Sequence, residues 1–258
     1  MTLRDVTDFD LEHKDALKRI WLLGDVHGHF DHIGRTLQVA KNSSNLPNWL
    51  VFLGDMDLAG QTFEQVIQPF QDVCPGVKTA FIHGNHDADT YEKWTLLHES
   101  GPAEVLHGKV LDLDGVRVAG LGGNFLGRVW IPPAEPILRN KIAAMNRGPY
   151  QGRNGLQPSP KFHAAIYSDD VVKLGKQRAD ILVTHEAFSC HIRGWSALDQ
   201  LARDLRVVRA FHGHTHDDHS DAYALQRDVM GFEVRAVNYC CIKNGLGEMV
   251  FELARSYF

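Results

Sequence analysis

Five short clusters carry most of the side chains in this chain that could do chemistry. They are Gly-Asp-Val-His-Gly (24–28), Gly-Asp-Met-Asp (54–57), Gly-Asn-His-Asp (84–87), Thr-His-Glu (184–186) and Gly-His-Thr-His (213–216). Together they offer carboxylates, imidazoles and one amide. That donor set suits borderline divalent ions such as manganese, iron or zinc, whereas a pure calcium or magnesium site would use oxygen alone. In Asp25-x-His27 and His214-x-His216, alternate residues of an extended backbone project to the same side. Each pair can therefore aim two donor atoms at one pocket. The Asp55 carboxylate has two oxygens and can bridge two cations. Glycines beside the clusters let the chain turn sharply. Histidine, at 15 residues, is the compositional outlier.

The elements that must position these clusters read as strands. Each cluster closes a short apolar run: RIWLLGD (19–25), WLVFLGD (49–55), TAFIHGN (79–85), DILVTHE (180–186) and RAFHGHT (209–215). Near-continuous apolar runs of this length are what strands covered on both faces look like. Helical spacing appears between them, at Phe30–Ala40, Thr62–Gln71 and Ala197–Leu205. The alternation predicts an α/β layered fold with the clusters at the C-terminal ends of strands, where sites assemble in open sheets. VLDLD and VRVAG flank Asp114-Gly115, a hairpin signal. FEVRAVNYCC and GEMVFEL, joined through Lys243-Asn244-Gly245, read as a second strand pair, so two mixed sheets face to face are expected.

The stretch 122–173 differs. It holds Pro132, Pro133, Pro136, Pro149, Pro158 and Pro160, and it carries Arg128, Arg139, Lys141, Arg147, Arg153 and Lys161 against Glu135. A long irregular segment is either a functional loop or a solvated excursion. We expect one domain over 1–258, with this stretch as an insert.

In order, the five clusters match D-x-H, G-D, G-N-H, H and G-H-x-H, and the chain thereby resembles the calcineurin-like metallophosphoesterase superfamily. The matched blocks span about three quarters of the chain. The resemblance implies a four-layer αββα sandwich and two divalent metal ions, manganese first, with iron, zinc, nickel or cobalt as alternatives. It implies Asp25, His27 and His216 on the first metal, Asn85, His185 and His214 on the second, and Asp55 as the bridging carboxylate. His86 resembles the histidine that lies near the phosphate without binding metal. The implied reaction is hydrolysis of a phosphate mono- or diester.

Some blocks depart from the pattern. Phosphoprotein phosphatases read G-D-x-V-D-R-G where this chain reads Gly54-Asp55-Met56-Asp57-Leu58-Ala59-Gly60. The second acid comes one position early and the arginine is missing, which puts support of His86 by Asp57 in doubt and points away from that subtype. Asp87 reads as an N-cap for a helix starting near Ala88. His29, His32 and His83 read as surface or packing residues. His191, His212 and His219 could line the site, although packing is the blander reading, and a solvated Arg193 outranks one that meets substrate. Trp21, Trp49 and Trp94 read as core residues, whereas Trp130 and Trp195 lie in loops and could stack on a ring.

A net charge of −5 argues against a protein that grips nucleic acid by bulk charge. A small-molecule or nucleotide ester is therefore expected before a nucleic-acid substrate. A scaffold protein that has lost catalysis is the remaining alternative, and the complete ligand set weighs against it. No apolar run approaches membrane-spanning length, and the first twenty residues are too charged for a secretory signal, so the cytoplasm is the expected location. Cys74, Cys190, Cys240 and Cys241 show no metal-finger spacing and read as reduced. The adjacent pair, Cys240 and Cys241, is expected on a strand, facing opposite ways.

Overall fold

All five apolar runs form strands. The computed structural model describes residues 5–146, 158–217 and 219–253. Within them lie β1 (Ile20–Leu23), β2 (Trp49–Phe52), β3 (Lys78–Phe81), β4 (Glu104–Val105), β5 (Val110–Leu113), β6 (Val116–Leu121), β7 (Ile181–Thr184), β8 (Arg209–His212), β9 (Glu233–Ala236), β10 (Ile242–Asn244) and β11 (Met249–Phe251). They build two mixed sheets, ordered β11-β10-β1-β2-β3-β4 and β5-β6-β7-β8-β9. β1 through β4 run parallel, as do β6 through β9, so the site-bearing ends of each sheet lie along one edge.

The layering follows from burial on both faces. Leu22, Val51 and Ala80 of the first sheet pack against Val118, Val183 and Phe211 of the second. The other face of the first sheet, with Leu23, Leu50 and Phe52, meets helices α2 (Asp31–Asn42), α3 (Phe63–Val73) and α4 (Tyr91–His98). Short helix α5 (Lys141–Met145) belongs to the insert. The other face of the second sheet, with Leu121, Leu182 and Ala210, meets α6 (Ser168–Gly175), α7 (Ser196–Leu205), α8 (Ser220–Ala224) and α9 (Arg227–Met230). The result is the expected four-layer αββα sandwich.

Helix α1 (Val6–Arg19) lays Phe9 and Leu17 on the central layer. Its Asp10 accepts two hydrogen bonds from Arg209, at 3.0 and 2.8 Å. Arg209 is 1% exposed; it also donates to Glu233 and to the Gly245 carbonyl. Buried charge is stable only when paired in this way. Thr62 and Gln65 close a capping box at the start of α3, which sharpens the expected helix boundary.

Several expectations need correction. FEVRAVNYCC and GEMVFEL are not one hairpin: β9 pairs with β8 in the second sheet, and β10 pairs with β11 in the first. The chain crosses between sheets at Val237–Cys241. Cys240 sits there at φ 48, so the cysteine pair lies in a turn and not on a strand. All four cysteines are free. Within 122–173, α6 begins at Ser168, and Val129, Leu138, Ala144, Phe162 and Tyr167 pack into a small core. Arg147, Pro149 and Arg153 lie outside the described residues. Among the described residues, no helix is long and apolar enough to cross a membrane.

Candidate metal centre

The ligand candidates converge because the parallel strands β1, β2 and β3 of one sheet, and β7 and β8 of the other, each end in a loop that carries them. Gly24, Leu53, Ile82 and Gly213 lead off from β1, β2, β3 and β8, and His185 directly follows β7. The turns are tight. His27, Asp55, His214 and His216 all have left-handed backbones, with φ of 42, 51, 67 and 56°. Such conformations cost of order 1–3 kcal/mol each in a non-glycine residue and cluster at functional sites. At Gly84 the loops touch: a Cβ there would lie 2.1 Å from Asp55 Oδ1 and 2.6 Å from the His185 ring. Only glycine fits.

Two sets of donor atoms result. In the first, Asp25, His27 and His216 offer atoms within 4.8 Å of one another. The Nε2 atoms of His27 and His216 lie 3.2 Å apart, and His216 Nε2 is 2.9 Å from Asp25 Oδ2. In the second, Asp55, His185 and His214 are equally close. His185 donates from Nδ1 to the Leu53 carbonyl at 2.9 Å. Its Nε2 then faces two acceptors, Asn85 Oδ1 at 3.0 Å and Asp55 Oδ2 at 3.5 Å. Asp55 Oδ2 is also 3.8 Å from His27 Nε2, which puts one carboxylate oxygen between the two sets.

This pocket demands positive charge. Burial alone lowers the pKa of His185, but the carboxylates of Asp55 and Asp25 outweigh it and hold the imidazole up to about 10. His214 goes the other way, to about 4, through burial and the neighbouring His185. Carboxylates that favour positive charge, beside convergent imidazoles, form a donor set suited to a cation. The nitrogen and oxygen donors fit borderline divalent ions.

Comparison with known proteins settles the family. A model of the calcineurin-like phosphoesterases matches residues 18–218. The chain belongs to that family. A curated Haemophilus influenzae (strain ATCC 51907 / DSM 11121 / KW20 / Rd) relative, named only as an uncharacterised protein, is 33% identical over 203 residues, covering 77% of this chain and 84% of that one. The fold resembles the crystal structure of TT1561 from Thermus thermophilus, with TM-score 0.51 and 10% identity, over 88% of this chain and 94% of that one.

Around these calcineurin-like clusters stand residues whose roles differ from expectation. Asp87 is not an N-cap. It is 1% exposed and accepts from the amides of Gly84, Asp55 and Asp57 at 2.8, 2.9 and 3.0 Å, tying two ligand loops together. Burial and the nearby Asp55 charge push its pKa up to about 7. Asp57 pairs with Lys93. The carboxylate on His86 is Asp89, 2.9 Å from Nδ1, a partner that sequence reasoning missed. Its signal was the spacing: three residues on, across one tight turn. Glu186 accepts from Phe125 N and Trp195 Nε1, at 3.2 and 3.0 Å.

The remaining candidates pack. His83 is buried against Trp94 and His107. Trp94 is only half-buried, so it is not a core residue, unlike Trp21 and Trp49. Trp130 and Trp195 pack on Phe125. His191, Asp217 and His219 form a third group of nearby donors. There, however, His191 Nδ1 accepts from Arg193 N at 3.1 Å, so Nε2 carries the proton and points it at Asp217 Oδ2, 3.3 Å away. That is the opposite tautomer to His185, and it makes a hydrogen-bonded pair. Arg193 is exposed, and His212 is buried with Nδ1 on the Gly213 carbonyl.

Proposed function

We propose that this chain hydrolyses a phosphate ester at a dinuclear metal centre. The observation that carries the reading is the placement of Asp55 Oδ2 between two histidine-rich donor sets, 3.5 Å from His185 Nε2 and 3.8 Å from His27 Nε2. Asp25, His27 and His216 would hold one ion, and Asn85, His185 and His214 the other, with Asp55 shared. Such ions, manganese first among the candidates, would make water acidic near neutral pH and neutralise charge building on the phosphate.

The chain's own residues do the rest. Asp87 fixes the backbone of the bridging residue. The Leu53 carbonyl fixes the His185 tautomer, leaving Nε2 for ligation. His86, exposed at the rim with its amide anchored on Asp55 Oδ1 at 2.8 Å, meets the leaving group. The substrate we favour is a small-molecule or nucleotide ester over nucleic acid or protein. Among the described residues of the insert, Lys161 and Arg128 support that choice, because they spend hydrogen bonds on Asp89 and Ser159 and not on a polynucleotide backbone. We read the chain as one cytoplasmic domain with an insert.

The test is turnover of a chromogenic phosphomonoester and a chromogenic phosphodiester, with manganese and after chelation, beside elemental analysis and His86→Ala. Metal-dependent turnover that falls about 10²-fold or more in His86→Ala is expected for a lost proton donor. Protein that takes up no metal would sink the dinuclear reading.

A further inference from the structure

In this chain the acid that would partner His86 has moved. Asp57 is occupied by Lys93, and Asp89 holds the Nδ1 atom of His86 at 2.9 Å. Asp89 is held on both oxygens. Oδ2 takes His86, and Oδ1 takes Lys161, a residue of the insert. Lys161 Nζ also donates to the Asn85 carbonyl at 2.7 Å, so it spans the same turn. Lys93 Nζ stands 3.6 Å from Asp89 Oδ2 on the other side. The segment presenting Lys161 is itself fixed, since Arg128 donates to Ser159 at 2.8 Å and lies 4.8 Å from the Phe162 ring. A carboxylate clamped on both oxygens has one orientation, and it transmits that orientation to the imidazole. The His86 ring is 46% exposed and lies 5.4 Å from the His27 ring, facing the metal centre's rim.

We propose that Asp89, clamped by Lys161 of the insert, is the positioning residue that holds His86 as proton donor to the leaving oxygen. The role rests on the phosphoester hydrolysis proposed above. In the step, a water that has released one proton to solvent forms the new P–O bond through its oxygen while the P–O bond to the leaving group breaks, and solvent returns a proton to His86 Nε2 before the next turnover. The leaving oxygen takes the proton from His86 Nε2, and the imidazole ends neutral, its Nδ1 proton still on Asp89. The insert is thereby part of the active site, and it matters most for substrates whose leaving group cannot depart as an anion.

The experiment compares an aryl ester with a good leaving group and an alkyl ester with a poor one, for wild type, Asp89→Asn, Lys161→Met and Lys161→Arg. A good leaving group needs no proton, so Asp89→Asn should lose about 10²-fold in kcat on the alkyl ester and only a few-fold on the aryl ester. Lys161→Met should show the same bias more weakly, and Lys161→Arg should restore it. Nitrogen-15 correlation spectra of zinc-exchanged protein should show a hydrogen-bonded Nδ1–H on His86 that Asp89→Asn removes. Equal losses on both esters, or an unmoved His86 signal, would overturn the role of Asp89 alone. No turnover of either ester by the wild type would overturn the phosphoesterase reading and this role with it.

Discussion

Asp87→Asn probes the joint on which the centre depends. The substitution keeps the shape and removes one acceptor oxygen. In the wild type Oδ2 takes the amides of Gly84 and Asp55, and Oδ1 takes that of Asp57. An asparagine oxygen can serve one side only, and its NH2 group must face an N–H on the other. At least one buried amide loses its partner, at about 1–3 kcal/mol, and the surviving bonds lose their charge assistance, about 1 kcal/mol more. Relief of repulsion between Asp87 and Asp55 offsets part of this. With that relief subtracted, a net loss of about 1–3 kcal/mol corresponds to a fall in Tm of about 2–12 °C for a chain of this size. Thermal unfolding of manganese-loaded protein measures it, with elemental analysis to show weaker retention of the ions as the Asp55 loop loosens. A variant as stable as the wild type, with its full complement of metal, would refute the reasoning that Asp87 braces the centre.

Arg209→Met should destabilise by about 2–4 kcal/mol in urea unfolding, because Asp10 would lose its guanidinium partner and Glu233 would keep only Arg235. Acid should weaken the metal-stripped protein. Burial lowers the pKa of His212 from 6.5 to about 4, so its contribution, on the order of 2–3 kcal/mol, is fully present above pH 6.5 and is lost as pH falls towards 4. The urea midpoint should drop over that window, more steeply than in His212→Gln. His216→Gly should melt above His216→Ala by about 1 kcal/mol, since both lack the ligand and only alanine keeps the strain of φ 56°. The reverse order in a thermal scan would argue that the left-handed backbone costs nothing.

What could be read from the sequence divides along a physical line. Apolar runs report burial, so β1, β2, β3, β7 and β8 were legible, as were the layers on either side of them. The convergence of Asp25 with His27 and His216, and of Asp55 with His185 and His214, was legible too, because each donor is presented by a short loop at a strand end. Sheet membership after Ala236 was not. FEVRAVNYCC has the composition of one continuous strand, yet β9 pairs with β8 in the second sheet and β10 with β1 in the first, and between them the Asn238 carbonyl packs on Gly24, 2.1 Å from where a Cβ would sit. Asp87 was misread because a local cap and a long-range brace look alike in sequence: both are an acid just inside a helical turn. The difference lies in two amides some thirty residues upstream.

The same division explains why the supports of this site are acidic and close in sequence to the ligands. Four of the candidate ligands sit in left-handed conformations, so each of their loops is a local minimum only if something outside the loop holds it. Hydrophobic packing cannot do this at a strand end that must stay open to substrate. Carboxylates can, because one buried group takes several amides at once. Asp25 takes the His214 amide while offering Oδ2 to His216, and Asp87 takes three amides while offering nothing to the pocket. Asp89 extends the device outward, to a side chain and a cation from the insert. The negative charge that this concentrates is tolerable only with compensating cations. The pocket makes the same demand: the carboxylates of Asp55 and Asp25 hold the His185 pKa up to about 10. Strain, acidic bracing and metal affinity are thus one arrangement, and relaxing any of them should loosen the other two.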